Sequence, residues 1–323
     1  MTGSADKFTT DIRVELISTV IYLAEMQKHR IVVSSEDLGS DALNQRFAGF
    51  VNHPAVAAYP ALWDLGIWWD EIPRLAIHLT EDIHLVDSYF GKDGVQFLSP
   101  DEKLLMFDFV SHLRDFYTAS RFSDYYTQSL QENRDFLALL NGLIAEHPLQ
   151  SILEDYIGLK VGKVNFRLMN LLKSSFGVWT GDMDNRQVYS FCSRHWLQVG
   201  QRNKCLKLNL YHTIWHEFMH SVINPLSDKL FPDETLANEE QMTWYCALNE
   251  SIIWAVTHRL CHSIGLSDDS DNELYFTNSR RNKAPKAEQM FGVLKDYDNC
   301  RDKYRTIADF YPVLQSAFGN PPE

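Results

Sequence analysis

Apolar side chains recur along most of this chain at helical spacing, with a short interruption of β-like pattern near its middle. Val14, Ile17, Ile21 and Met26 fall about one turn apart with polar residues between them, so residues 11–28 are predicted to form an amphipathic helix. The stretch 40–80 holds Phe47, Phe50, Trp63, Trp68 and Trp69, broken by Pro54, Pro60 and Pro73, and reads as short helices joined by turns. Ser99-Pro100-Asp101-Glu102 carries a helix-start signature: a serine cap, a proline in the first turn and acids near the positive end. That helix is expected to run to about Thr118, and another from about Ser123 to Glu146, stopped ahead of Pro148.

The pattern changes after residue 160. KVNFRLM (163–169) and QVYSFC (187–192) alternate or cluster β-prone residues and are separated by Gly177, Gly181 and Asp182, which predicts two or three strands of a small antiparallel sheet. CLKLNL (205–210) is a candidate for one more strand. Helical spacing returns at about Tyr211 and continues to the end, interrupted by Pro225, Pro232 and a polar loop at 267–288. The expected fold class is α+β with helix dominant. A helical region over 1–158 precedes a region over 159–323 that carries the sheet and a central helix, the two packed as one compact unit.

Composition narrows the functional classes. The chain is 45% hydrophobic, enough for a large core, and its net charge of −13 comes with no Lys/Arg-rich block. Phosphate neutralisation needs clustered basic residues, so nucleic acid is not an expected partner. No run of about 18 apolar residues marks a membrane span. The opening residues are interrupted by Asp11, Arg13, Glu15 and Glu25 and do not read as a signal peptide. A cytoplasmic location is expected for the chain as numbered, and a periplasmic or secreted one if an export signal preceded it. The five cysteines are odd in number and lack metal-ribbon spacing, so free thiols are expected.

The chemistry concentrates in Thr213-Ile214-Trp215-His216-Glu217-Phe218-Met219-His220-Ser221-Val222-Ile223. On a helix, His216 and His220 share a face one turn apart and can aim two imidazole nitrogens at one zinc ion. Glu217, at the edge of that face, can take a proton from water acidified by the metal and later hand one to a leaving amine. The residues around the motif are apolar, as befits a buried active-site helix rather than a chance surface match. His212 extends the row, but lies about 12 Å along the helix from His220, too far to share its ion.

A catalytic zinc needs a third protein ligand and an open position. Ile223 and Leu226 stand where a metzincin needs Gly and His, which excludes that class. Glu239, Glu240 and Glu250 remain. Spacing from His220 favours Glu239 or Glu240; environment favours Glu250, whose apolar neighbours make a bare carboxylate costly to bury. For the oxyanion of a tetrahedral intermediate, His195, His258, His262, Tyr297 and Tyr304 are candidates among which the sequence does not choose.

HEFMHSVINPL (216–226) followed by ALNESIIWAV (247–256) resembles a bacterial, Bacteroidetes-type family of predicted zinc peptidases, a domain of unknown function of glutamate-zincin (gluzincin-like) character. FRLMNLLKSSFGVWTG and KYRTIADFYPVL are similar to it too, so the resemblance runs from about residue 10 to the C-terminus. It implies a zincin-like core, His216, His220 and Glu250 as zinc ligands and Glu217 as base. The aspartate that thermolysin-like enzymes place four residues after the ligand glutamate falls here at Trp254, and the Gly-Ala-Met-Glu-Asn signature of the related aminopeptidases is absent. The expectation is a zinc metalloendopeptidase acting on a peptide or protein. Its rivals are a zinc-binding protein without turnover and a zinc hydrolase of a non-peptide amide or ester.

Overall fold

In the computed structural model, which describes residues 7–24, 31–32, 41–91, 98–181, 185–200, 206–232 and 238–322, apolar strands covered on both faces organise the chain. Strands β1 (Phe8–Thr10), β2 (Lys163–Met169), β3 (Phe176–Thr180) and β4 (Gln187–Ser193) form a sheet of order β1-β2-β4-β3. The first three in that order run parallel, with Phe8 opposite Phe166 and Phe166 opposite Ser190; β3 is antiparallel to β4, with Val178 opposite Tyr189. The sheet is therefore mixed, not the antiparallel one predicted. Period-2 alternation reports which side chains share a face and carries no information on strand direction.

Thirteen α-helices are present among the described residues. α1 (Ile12–Leu23), α2 (Asp41–Phe47), α3 (Pro54–Asp64), α4 (Glu71–Ile77) and α5 (Pro100–Ala119) come before β2, with α6 (Phe122–Ile144) and α7 (Leu149–Ile157). α8 (Arg194–Gly200), α9 (Leu206–Leu230), α10 (Glu239–Ser263), α11 (Asn272–Arg281), α12 (Ala287–Asn299) and α13 (Ile307–Phe318) follow β4. Helix thus dominates the α+β fold. α5 starts with the expected cap: Ser99 accepts from the Glu102 backbone N–H while Glu102 accepts from that of Ser99.

Strand alternation sorts the core into two layers. Phe166, Leu168, Val188 and Cys192 pack on the side of α9 and α10; Phe176, Val178 and Phe191 pack with α1, α3 and α5. α1 is not amphipathic as its spacing suggested: every residue from Val14 to Leu23 is buried. Its hydroxyl side chains Ser18 and Thr19 are satisfied locally, donating to the carbonyls of Val14 and Glu15. Positions 25–28 of the expected helix lie outside the described residues.

CLKLNL is not a strand. From Leu206 on it is the first turn and more of α9, where Leu210 is buried beside Tyr211 and Ile214; Cys205 lies outside the described residues. Six alternating positions are too few to separate a strand from a helix whose leucines find partners on several sides. Part of the supposed loop 267–288 is α11, which buries Tyr275, Phe276 and Ser279. Pro225 sits inside α9 and has no N–H to give Ser221, and Arg186 at the entry to β4 donates to that freed carbonyl at 2.5 Å. No single described helix is long and apolar enough to cross a membrane.

Candidate active site

α9 and α10 pack side by side and bring three side chains together. His216 Nε2 lies 3.6 Å from Glu250 Oε2, and His220 Nε2 lies 3.7 Å from Glu250 Oε1. One ligand atom from each residue falls within 4.8 Å of the others. Four donors around a tetrahedral zinc at about 2.0–2.1 Å stand roughly 3.4 Å apart, so the separations suit such an ion. The donor set, two imidazoles and a carboxylate, is one that zinc accepts. His216 Nδ1 is buried without a hydrogen-bond partner, while His220 Nδ1 faces Asn224 Oδ1 at 3.4 Å. Burial, then the neighbouring His220 and His212, hold the His216 pKa well below its ordinary value, in the neutral form a ligand needs.

Of the three glutamates weighed as third ligand, Glu250 is the one brought to the histidines. Glu239 and Glu240 are exposed in the first turn of α10, where the Asn238 side chain caps the helix. The position of Glu250 is fixed by its neighbour. Asn249 is buried and accepts a hydrogen bond from Ser227 Oγ of α9, and Ser227 also meets Tyr311 Oη at 2.5 Å. This side-chain clasp sets the register of α10 against α9. Burial raises the Glu250 pKa, and His220 and Lys283 oppose the rise.

Glu217 lies on the sheet side of α9 and is 6% exposed. Burial, followed by Glu250 and Asp70, pushes its pKa well above the usual carboxylate range, against the pull of the Gly177 backbone N–H. Gly177 is the β3 residue that faces α9. A Cβ there would stand 2.0 Å from the Glu217 carbonyl oxygen, so only glycine lets strand and helix approach this closely.

A cleft of about 210 Å³ opens beside these groups, lined among others by Ser174, Ser175, Trp196, His212, Thr213 and Trp254, with His216, Glu217 and Glu250 on its wall. Thr213 Oγ1 is buried there without a hydrogen-bond partner, while the Trp254 indole N–H acts on the Glu250 carboxylate. None of His195, His258, His262, Tyr297 and Tyr304 is among the residues lining the cleft. His258 is fully buried and stacked on Tyr275 at 3.7 Å, and Tyr297 donates to the Tyr156 carbonyl. His212 does line it: its ring stacks on His216 at 5.8 Å, and its Nε2 meets Tyr275 Oη at 2.8 Å. The remaining lining residues, Asn282 and Lys283, come from the end of α11. Sequence reasoning named His212, Thr213 and Trp254 but passed over Ser174, Ser175, Trp196, Asn282 and Lys283, which come in from distant positions.

Cys192, Cys246, Cys261 and Cys300 are free thiols. No curated protein and no solved structure matches the chain. The model of a domain of unknown function, DUF4932, matches residues 11–316, nearly the whole length, and the chain belongs to that family.

Proposed function

We propose that this protein is a zinc-dependent metallopeptidase hydrolysing peptide bonds. The reading rests on one observation: His216, His220 and Glu250 converge beside an open cleft that the buried carboxylate of Glu217 also borders. Zinc bound by that triad would supply Lewis acidity, polarising a carbonyl and lowering the pKa of water. Glu217 accepts the proton of the attacking water and passes it to the leaving amine. Burial, then Glu250 and Asp70, raise its pKa above the ordinary carboxylate range, which makes it a stronger base. The Gly177 N–H orients the carboxylate. Trp254 and Trp196 keep bulk water from the reacting bond. β3 is an edge strand whose side away from β4 has no strand partner among the described residues, and an extended peptide can pair there beside the cleft.

The test is metal content by mass spectrometry on untagged protein, with Glu250→Ala, Glu239→Ala and Glu217→Gln beside the wild type, followed by peptide-library cleavage. About one zinc per chain is expected in every form except Glu250→Ala, with cleavage lost in Glu217→Gln. A wild type that takes up no zinc after dialysis against it would refute the reading. Zinc retained with ester or simple amide hydrolysis in place of peptide cleavage would move the protein to that class instead.

A further inference from the structure

Lys283 occupies an unusual place. The last turn of α11 closes with the Ala284 N–H bonded to the Ser279 carbonyl, and the Asn282 N–H to Asn278 and Ser279. In this type of helix end the next position is left-handed and is usually glycine. Here it is Lys283, with φ of 65°. A non-glycine residue in that region carries strain and persists where the surroundings or a function demand it.

Lys283 lines the cleft together with His216 and Glu250 of the triad. Burial raises the pKa of Glu250 and of Cys246, and the Lys283 charge opposes the rise in both. Lys283 makes no ion pair among the described residues. Glu217, Glu250 and Asp70 also act at the site, and Asp70 lies 3.5 Å from Arg74, whose closer partner is Glu71 at 2.9 Å. A divalent cation on the triad would offset Glu217 and Glu250 and leave the Lys283 ammonium available to a carboxylate in the cleft. Thr213 Oγ1 adds a buried donor with no hydrogen-bond partner. A site so equipped, with a volume of about 210 Å³, holds roughly one residue and attracts an anionic one.

We propose that this cleft is a carboxylate-recognition subsite, in which Lys283 pairs with a carboxylate of the peptide next to the scissile bond. The inference rests on the metallopeptidase reading and names its substrate class: peptides whose residue in the cleft carries an acidic side chain or a free C-terminal carboxylate.

Binding calorimetry on zinc-loaded protein with small peptidyl hydroxamates tests it without turnover. One arm compares a glutamyl with a glutaminyl hydroxamate; the other compares a free C-terminus with its amide. The best variant is Lys283→Gly, which removes the charge and suits the left-handed backbone, so it is expected to be at least as stable as the wild type. The wild type is expected to prefer the carboxylate form about fivefold in one arm, which identifies the source. Lys283→Gly is expected to lose that preference and keep its zinc. Equal affinity in both arms of the wild type overturns the subsite and leaves the metallopeptidase reading standing. A preference that survives in Lys283→Gly overturns the role of Lys283. Absence of any hydroxamate binding to zinc-loaded protein overturns both.

Discussion

Gly177→Ala isolates the contact between β3 and the motif helix. The added methyl carbon would sit 2.0 Å from the Glu217 carbonyl oxygen and 2.8 Å from its carbonyl carbon. Ordinary contacts of this kind begin near 3.4 Å, so strand and helix must part by about 1 Å or more. Both partners are backbone in regular structure, and no side chain can swing away to absorb the clash. Overpacking of this sort costs about 1–3 kcal/mol, and the upper half of that range is expected here. The consequences for the site are selective. His216 and His220 travel with α9, and Glu250 belongs to α10 on the other side, so zinc content should stay near one per chain. Glu217 loses the backbone N–H of Gly177, and the edge strand shifts relative to the base. A misplacement of about 1 Å can cost on the order of 100-fold in turnover. Urea unfolding, metal analysis and peptide cleavage on one preparation check all three. A variant within about 0.5 kcal/mol of the wild type and fully active would refute the close packing on which the argument depends.

Three further outcomes are expected. Glu217→Gln should retain zinc and lose at least about 100-fold in hydrolysis, as removal of a general base does, and a smaller loss in kinetic assays would assign the proton transfer elsewhere. Asn249→Ala should weaken zinc binding about tenfold and destabilise the fold by about 1–3 kcal/mol, because the buried Ser227 hydroxyl loses its Asn249 acceptor; competition with a chelator measures the first effect and urea the second. Glu15 is fully buried against Asn170, whose backbone and side-chain N–H groups it accepts, and burial still lifts its pKa to about 7. The folded chain therefore keeps a proton that the unfolded chain releases at its ordinary pKa of 4.5, and stability contributed below that value is lost as pH rises to about 7. Glu15→Gln has no such proton to lose. Its stability relative to wild type should rise by up to about 3 kcal/mol between pH 5 and pH 8, and a pH-independent difference would show that Glu15 does not titrate in this window.

What the sequence made legible follows from how local each signal is. The ends of β2 and of α5 could be read closely because alternation in KVNFRLM and the Ser99–Glu102 cap are complete within a few residues. Glu250 stood out since a carboxylate set among Leu248, Ile252 and Ile253 needs a partner, and the structure supplies two imidazoles. β1 went unseen: three residues show no period, and their partner strand is half a chain away. Strand direction was misjudged, as pairing depends on the crossovers rather than on the strands themselves. The cleft around the motif was hidden for a related reason. Ser174, Trp196 and Lys283 reach it through separate loops and helix ends, and nothing in their own neighbourhoods marks them as neighbours in space.

The parallel pairing of Phe8–Thr10 with Phe166–Leu168 also governs how the chain can be made. On a ribosome the first strand emerges with nearly half the protein still to come before its partner exists. The helices that follow it share their apolar layer with Met169, Phe176, Val178 and Phe191, so that layer stays open until the sheet has been synthesised. Closing so long a loop carries its entropy cost before any contact repays it, which favours slow folding late in synthesis. A fragment ending near residue 158 would expose an unfinished hydrophobic face and should aggregate rather than fold.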